Sequence, residues 1–173
     1  MPFCKQRLKQ RLAPLLTVMS LVGLSGCGGW DDEASFPENY SASYVKLHEC
    51  KESAHPAANY VITWLSPEGE QAWQQMMEGM MGGAEPGPLP TGTVLVKAQY
   101  NDSSCSDLSG YTAMEQLEPG AKPELGDFKW QFLDSDGSCN NCDAGSSCSG
   151  CHTTPNCGGA FPYVCTGSES AAP

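Results

Sequence analysis

The chain has 173 residues, a length that suits one compact domain plus processing segments. It carries nine Lys+Arg against 20 Asp+Glu, a formal net charge of −11. So acidic a surface repels phosphate backbones, which argues against nucleic acid as a partner.

The first stretch is read as a processing segment. Lys5, Arg7, Lys9 and Arg11 form a basic region with no acidic residue, followed by a mainly apolar run from Leu15 to Leu24. A membrane-spanning helix needs about 20 apolar residues, so this run has instead the length of a signal-peptide core. It ends in Leu24-Ser25-Gly26-Cys27, which resembles the bacterial lipobox. The expected organisation is a signal peptide over 1–26, a lipidated tether over 27–42 beginning at Cys27, and a domain over 43–173. Cleavage would remove four basic residues and no acidic ones, leaving five against 20, a net charge of −15. The mature chain would hold no arginine. It would repel anionic headgroups, so its membrane partner is reached through the lipid itself. The expected location is exported, on a periplasmic or outer-membrane face. Gly28 follows Cys27, so the aspartate that retains some lipoproteins at the inner membrane is not in that position.

Beyond the polar tether, Ser43 can cap a short helix with Tyr44, Leu47, His48 and Lys51 on one face. Asn59 to Leu65 is β-branched and aromatic and reads as a strand. Ser66-Pro67-Glu68 then starts a helix: Ser66 as cap, Pro67 in first position, Glu68 and Glu70 at the positive end of the dipole. Trp73, Met76, Met77, Met80 and Met81 form one stripe, read as core filler rather than ligands. Gly82-Gly83 stops the helix. Three more strands are expected, Thr93 to Tyr100, Gly110 to Leu117 and Asp127 to Leu133. In the last, Phe128, Trp130 and Phe132 alternate with polar residues. Asp134 to Gly137 reads as a turn. The expected fold class is mainly β (α+β): an antiparallel sheet, one or two short helices, and a Cys-rich C-terminal segment.

Ten cysteines are many for this length. With Cys4 and Cys27 set aside, Cys50, Cys105, Cys139, Cys142, Cys148, Cys151, Cys157 and Cys165 remain, an even number in an exported chain. From Ser138 onward apolar side chains are few, so covalent links or a cofactor must hold the segment in shape. Cys148-Ser149-Gly150-Cys151-His152 matches C-x-x-C-H, the attachment pattern of c-type haem. Two thiols at this spacing can add to the two haem vinyl groups, and the adjacent histidine is held beneath the iron. The alternatives are a disulfide framework, or a zinc site using Cys139-x-x-Cys142 with Cys148-x-x-Cys151. The gap between those pairs is shorter than the ~12–20 residues usual in zinc modules. With Cys148 and Cys151 on one covalent haem c, Cys50 with Cys105 is a natural disulfide. Cys139, Cys142, Cys157 and Cys165 would staple the haem segment.

Several pieces in order resemble the cytochrome P-460 family. They are Tyr44-Val45-Lys46 with His55-Pro56, Gly92-Thr93-Val94-Leu95-Val96-Lys97, Tyr111-Thr112-Ala113-Met114-Glu115, Gly126-Asp127-Phe128-Lys129-Trp130, the haem motif, and Phe161-Pro162-Tyr163-Val164. The resemblance implies a small, mainly β, exported domain with a five-coordinate iron. It implies oxidation of small nitrogen species, hydroxylamine and nitric oxide, by an oxidoreductase, or the binding of a small gas. Family members can carry a lysine crosslinked to the haem ring, and Lys97 best matches that lysine; it shares a strand face with Leu95. Glu115 is a candidate distal acid, with exposure on the strand's wet face as its other reading. His48 and His55 are candidate distal ligands or exposed. Two other classes stay open: an electron carrier with a redox partner protein, and a haem-free, disulfide-stapled surface lipoprotein.

Overall fold

A computed structural model describes residues 33–53, 58–82, 88–152 and 164–165, all within one compact unit over 31–173. The signal peptide, Cys27, His55, Cys157 and the 161–163 stretch lie outside the described residues, as do the side chains of Met80 and Met81. Among the described residues no helix is long and apolar enough to cross a membrane.

The centre is an antiparallel sheet of seven strands, with two helices, which makes the fold mainly β of the α+β class. β1 (Val45–Lys46) and β2 (Lys51–Glu52) both pair with one edge of β3 (Tyr60–Leu65). Beyond β3 come β4 (Val94–Tyr100), β5 (Leu108–Gln116), β6 (Phe128–Asp134) and β7 (Cys139–Asn141), each paired with the strand before it. The four strands read from β-branched and aromatic runs are all present, with ends shifted by one or two residues. α1 (Pro67–Gly82) follows β3, and α2 (Gly145–His152) follows β7.

The helix expected after Ser43 is not formed. A 3-10 turn covers Tyr40–Ala42, and the chain then extends as β1 and β2. The reason lies in β3, where Val61, Thr63 and Leu65 are no more than 1% exposed. Backbone groups this deeply buried need partners, and β4 occupies only one edge. Residues 45–52 cover the other edge, with Leu47 N–H donating to Thr63 O between the two short strands. Helical spacing of Tyr44, Leu47 and His48 was thus overridden by a long-range need.

Ser66 also differs from expectation. Its hydroxyl accepts from Val94 N–H at 2.9 Å, and its own N–H donates to Val94 O, so it extends the β3–β4 ladder. Its carbonyl accepts from Gly69 N–H in the first turn of α1.

The two sheet faces bury different clusters. Phe36, Tyr40, Val94, Val96, Ala113 and Leu133 form one, with Tyr44, Trp64 and Tyr111 against it. Tyr40 is its hub, with ring centroids 5.2 Å from Phe36 and 5.8 Å from Trp64. Gln131 pins the incoming chain here: its Oε1 accepts from Ser35 N–H and its Nε2 donates to Glu33 O, both at 2.8 Å. The other face buries Leu65, Met76, Leu89, Leu95, Met114, Phe128, Trp130 and Val164. Met76 is core, in keeping with the packing reading of the methionine stripe, whereas Met77 is 47% exposed.

Candidate functional site

The site is built from strand register. Thr63, Lys97, Thr112 and Phe132 are successive cross-strand partners, as are Leu65, Leu95, Met114 and Trp130. Side chains alternate faces along a strand, so these two adjacent rows project to one side. All of them except Leu65 line a cavity with about 510 Å3 of unfilled space, its open mouth included. One row is polar at Thr63, Lys97 and Thr112, and the other is apolar, so the wall has two chemical halves.

α2 adds Cys148 and His152 to the cavity wall. Ala144, fully buried, donates its N–H to Trp130 O at 2.9 Å and accepts from the N–H groups of Ser147 and Cys148. Gly145 sits against Leu125 so closely that a Cβ would collide with the leucine methyls. The Lys122 ammonium meets Asp143 at 2.9 Å just before the helix. These contacts hold a helix whose sequence, Gly-Ser-Ser-Cys-Ser-Gly-Cys-His, has little intrinsic tendency to form one.

Cys148 and His152 lie four residues apart, on one side of α2, and both line the cavity. His152 stands edge-on to Trp130 with centroids 4.6 Å apart. Its Nδ1 is 3.4 Å from Cys165 Sγ, and Cys165 is disulfide-bonded. A disulfide sulfur accepts and cannot donate. The contact therefore favours the tautomer with the proton on Nδ1, in which Nε2 carries the lone pair a metal would take.

Two disulfides join described residues, Cys50–Cys105 and Cys139–Cys142. They belong to a chain that meets an oxidising environment. Cys148 and Cys151 are free thiols, the first half-buried and the second exposed. Burial, and then the nearby Cys151, push the Cys148 thiol up to about 11. Among the described residues, the thiols left unoxidised are thus the two of the C-x-x-C-H motif.

Lys97 lines the same cavity as Cys148 and His152. Glu115 does not: it sits one residue along β5 from Met114, on the opposite face, where it accepts from Ser35 Oγ at 2.7 Å. Glu115 is therefore not a distal acid at this cavity. His48 is half-buried and reaches the cavity wall through Thr63 Oγ1, 3.0 Å from its Nε2. Among the described residues no three His, Cys, Asp or Glu side chains gather as a metal cage. Among the described residues that line the cavity, His152 is the one imidazole.

Thr63, Thr112, Met114, Trp130 and Phe132 were not singled out from the sequence as site residues. Period-two alternation could show which residues of one strand share a face. It could not show which face carries the cavity. No protein-family profile and no curated protein sequence matches this chain.

Proposed function

We propose that this protein is an extracytoplasmic c-type haem lipoprotein of cytochrome P-460 type, anchored through a lipid on Cys27. The observation that carries the haem reading is the state of the cysteines. Cys148 remains a thiol lining a half-apolar cavity and Cys151 an exposed thiol one turn on, with His152 adjoining, while the other described cysteines are bonded. Thioether formation needs thiols: each S–H adds across a vinyl double bond, sulfur bonding one carbon and hydrogen going to its neighbour. No oxidant is consumed.

The residues present fit the group. Leu95, Met114, Trp130 and Val164 offer an apolar wall to a flat ring. Trp130 Nε1 is buried without a hydrogen-bond partner, a donor that a polar substituent of a bound cofactor would satisfy. When bound, haem supplies an iron that exchanges electrons and takes a small ligand. Cys148 and Cys151 would hold it covalently, and His152 would offer Nε2 to its iron. That Lys97 lines the same cavity from the polar row supports reading it as the ring crosslink. The activity that goes with this reading is oxidation of a small nitrogen species such as hydroxylamine or nitric oxide. Disulfides and the N-terminal pattern of charge, apolar run and lipobox support export.

Intact mass of the mature protein, expressed with a haem-attachment pathway, tests the reading. One added haem is expected, lost in Cys148→Ser/Cys151→Ser. A mass without haem makes the protein a disulfide-stapled surface lipoprotein instead. A ferrous spectrum that changes with carbon monoxide marks an open sixth position, as an enzyme or gas binder needs. An unchanged spectrum marks an electron carrier. An unaltered absorption spectrum in Lys97→Ala removes the crosslink.

A further inference from the structure

Cys148 and Cys151 are thiols in the chain that carries no cofactor, and their placement suits a second kind of ligand. α2 sets them three residues apart, so their Cβ atoms lie about 5–6 Å from each other on one side of the helix. Both are free of disulfides, and a charge on Cys151 is felt at Cys148. Two metal–sulfur bonds of about 2.3 Å each span a gap of that order once the side chains rotate about χ1.

The surroundings of the pair decide which ion it takes. Thiolate and thioether sulfurs are soft donors, which select copper(I) or zinc over hard cations. Zinc fills four positions. Among the described residues no three His, Cys, Asp or Glu side chains gather, so nothing completes the shell of a zinc ion. Copper(I) is satisfied by two thiolates. Beside Cys148 the cavity wall carries the Met114 thioether, a polarizable sulfur, and Lys97. A copper(I) ion between two thiolates has one net negative charge, which the Lys97 ammonium offsets. Cys151 is exposed, which gives an ion its way in from solution. Cys50, Cys105, Cys139, Cys142 and Cys165 are disulfide-bonded and offer no thiolate in competition.

We propose that Cys148 and Cys151 form a copper(I) site, two thiolates on one ion, in the chain that has not received haem, so that copper(I) and haem exclude each other. As the ion enters, each thiol gives its proton to solvent and each sulfur forms one bond to copper. Copper stays in the +1 state and no electron moves. The same two sulfurs cannot then add to vinyl groups. The exclusion rests on the haem reading, whereas the copper site stands without it.

The experiment uses the full mature chain made without a haem-attachment pathway. Copper(I) is kept reduced by ascorbate, which leaves the disulfides intact, and is titrated in competition with a colorimetric copper(I) chelator. One tightly held ion per chain is expected, with sulfur neighbours in X-ray absorption and no displacement by excess zinc. Cys151→Ser alters an exposed side chain and should leave the fold as it is. It should weaken binding more than about 100-fold, beyond the 10–100-fold that disturbing a ligand's neighbour costs. His152→Ala should keep the ion. The same chain loaded with haem should take up no copper. Wild type without a bound ion, or Cys151→Ser with wild-type affinity, overturns the proposal, as does equal copper uptake by the haem-loaded chain. A chain that acquires haem but binds no copper beforehand sinks this inference alone. A chain that holds copper but never acquires haem removes the haem reading and the exclusion, and leaves the copper site standing.

Discussion

Single residues in this protein owe their chemistry to their immediate hydrogen-bond partners. Asp102 shows this at the loop between β4 and β5. Its carboxylate accepts from the Ser104 hydroxyl, from Ser106 N–H and Oγ–H, and from Asp107 N–H. These bonds, the Ser104 hydroxyl first, hold its pKa well below the ordinary carboxylate range. The folded value lies below the unfolded one, so the contribution is full above the unfolded pKa and is lost as pH falls through the folded value. The amide signals of Ser106 and Asp107 should therefore keep their native shifts below pH ~3.9, the ordinary aspartate midpoint. Asp102→Asn should displace them at every pH. Nuclear magnetic resonance at a series of pH values checks both. At the site, His152 is governed in the same local way. Cys165 and Trp130 set its tautomer and ring angle, and neither neighbour is near it in sequence.

At the scale of elements, close approach decides where each helix can sit. α1 begins against the sheet at Gly69, where a Cβ would lie 2.8 Å from Leu65 Cδ1 and collide with the Thr93 methyl. Leu65 and Thr93 are themselves fully buried, so neither can yield cheaply. Gly69→Ala should destabilise the fold by about 1–3 kcal/mol, the usual cost of overpacking, read from urea or thermal unfolding. α2 has the same requirement at Gly145. The strands were legible in sequence because β-branched and aromatic runs with alternating polarity signal themselves. Phe128, Trp130 and Phe132 did so most plainly. β1, β2 and α2 were not legible. β1 and β2 are two residues each and exist because β3 has an edge to fill. α2 is glycine- and serine-rich, and its contacts to Trp130 and Leu125 come from elements well before it in the chain.

The whole molecule is stitched by links that span long stretches of sequence. Cys50–Cys105 joins the edge beside β2 to the β4–β5 loop across a sequence separation of 55. Cys50→Ala/Cys105→Ala should lower stability by about 2–4 kcal/mol, since the unfolded chain regains the freedom the link removed. The midpoint of chemical unfolding, compared with wild type, measures it. Cys139–Cys142 spans only three residues and restrains far less of the unfolded chain. The incoming segment is also part of the body: Glu33, Ser35, Phe36 and Tyr40 attach to the sheet face opposite the cavity.

The sequence by itself determined the mainly β class, the four principal strands, α1 and the motif Cys148-x-x-Cys151-His152, and it offered Cys50 with Cys105 as one pairing among several. These rest on period, composition and spacing, which are local properties of the chain. Only the tertiary structure decided that Lys97, Thr63 and Thr112 share a row facing Cys148 and His152, that Glu115 faces the other way, and that His48 reaches Thr63. Those outcomes depend on strand register and on which sheet face α2 covers. Both are fixed by pairing and burial between segments distant in sequence, and no local pattern encodes them.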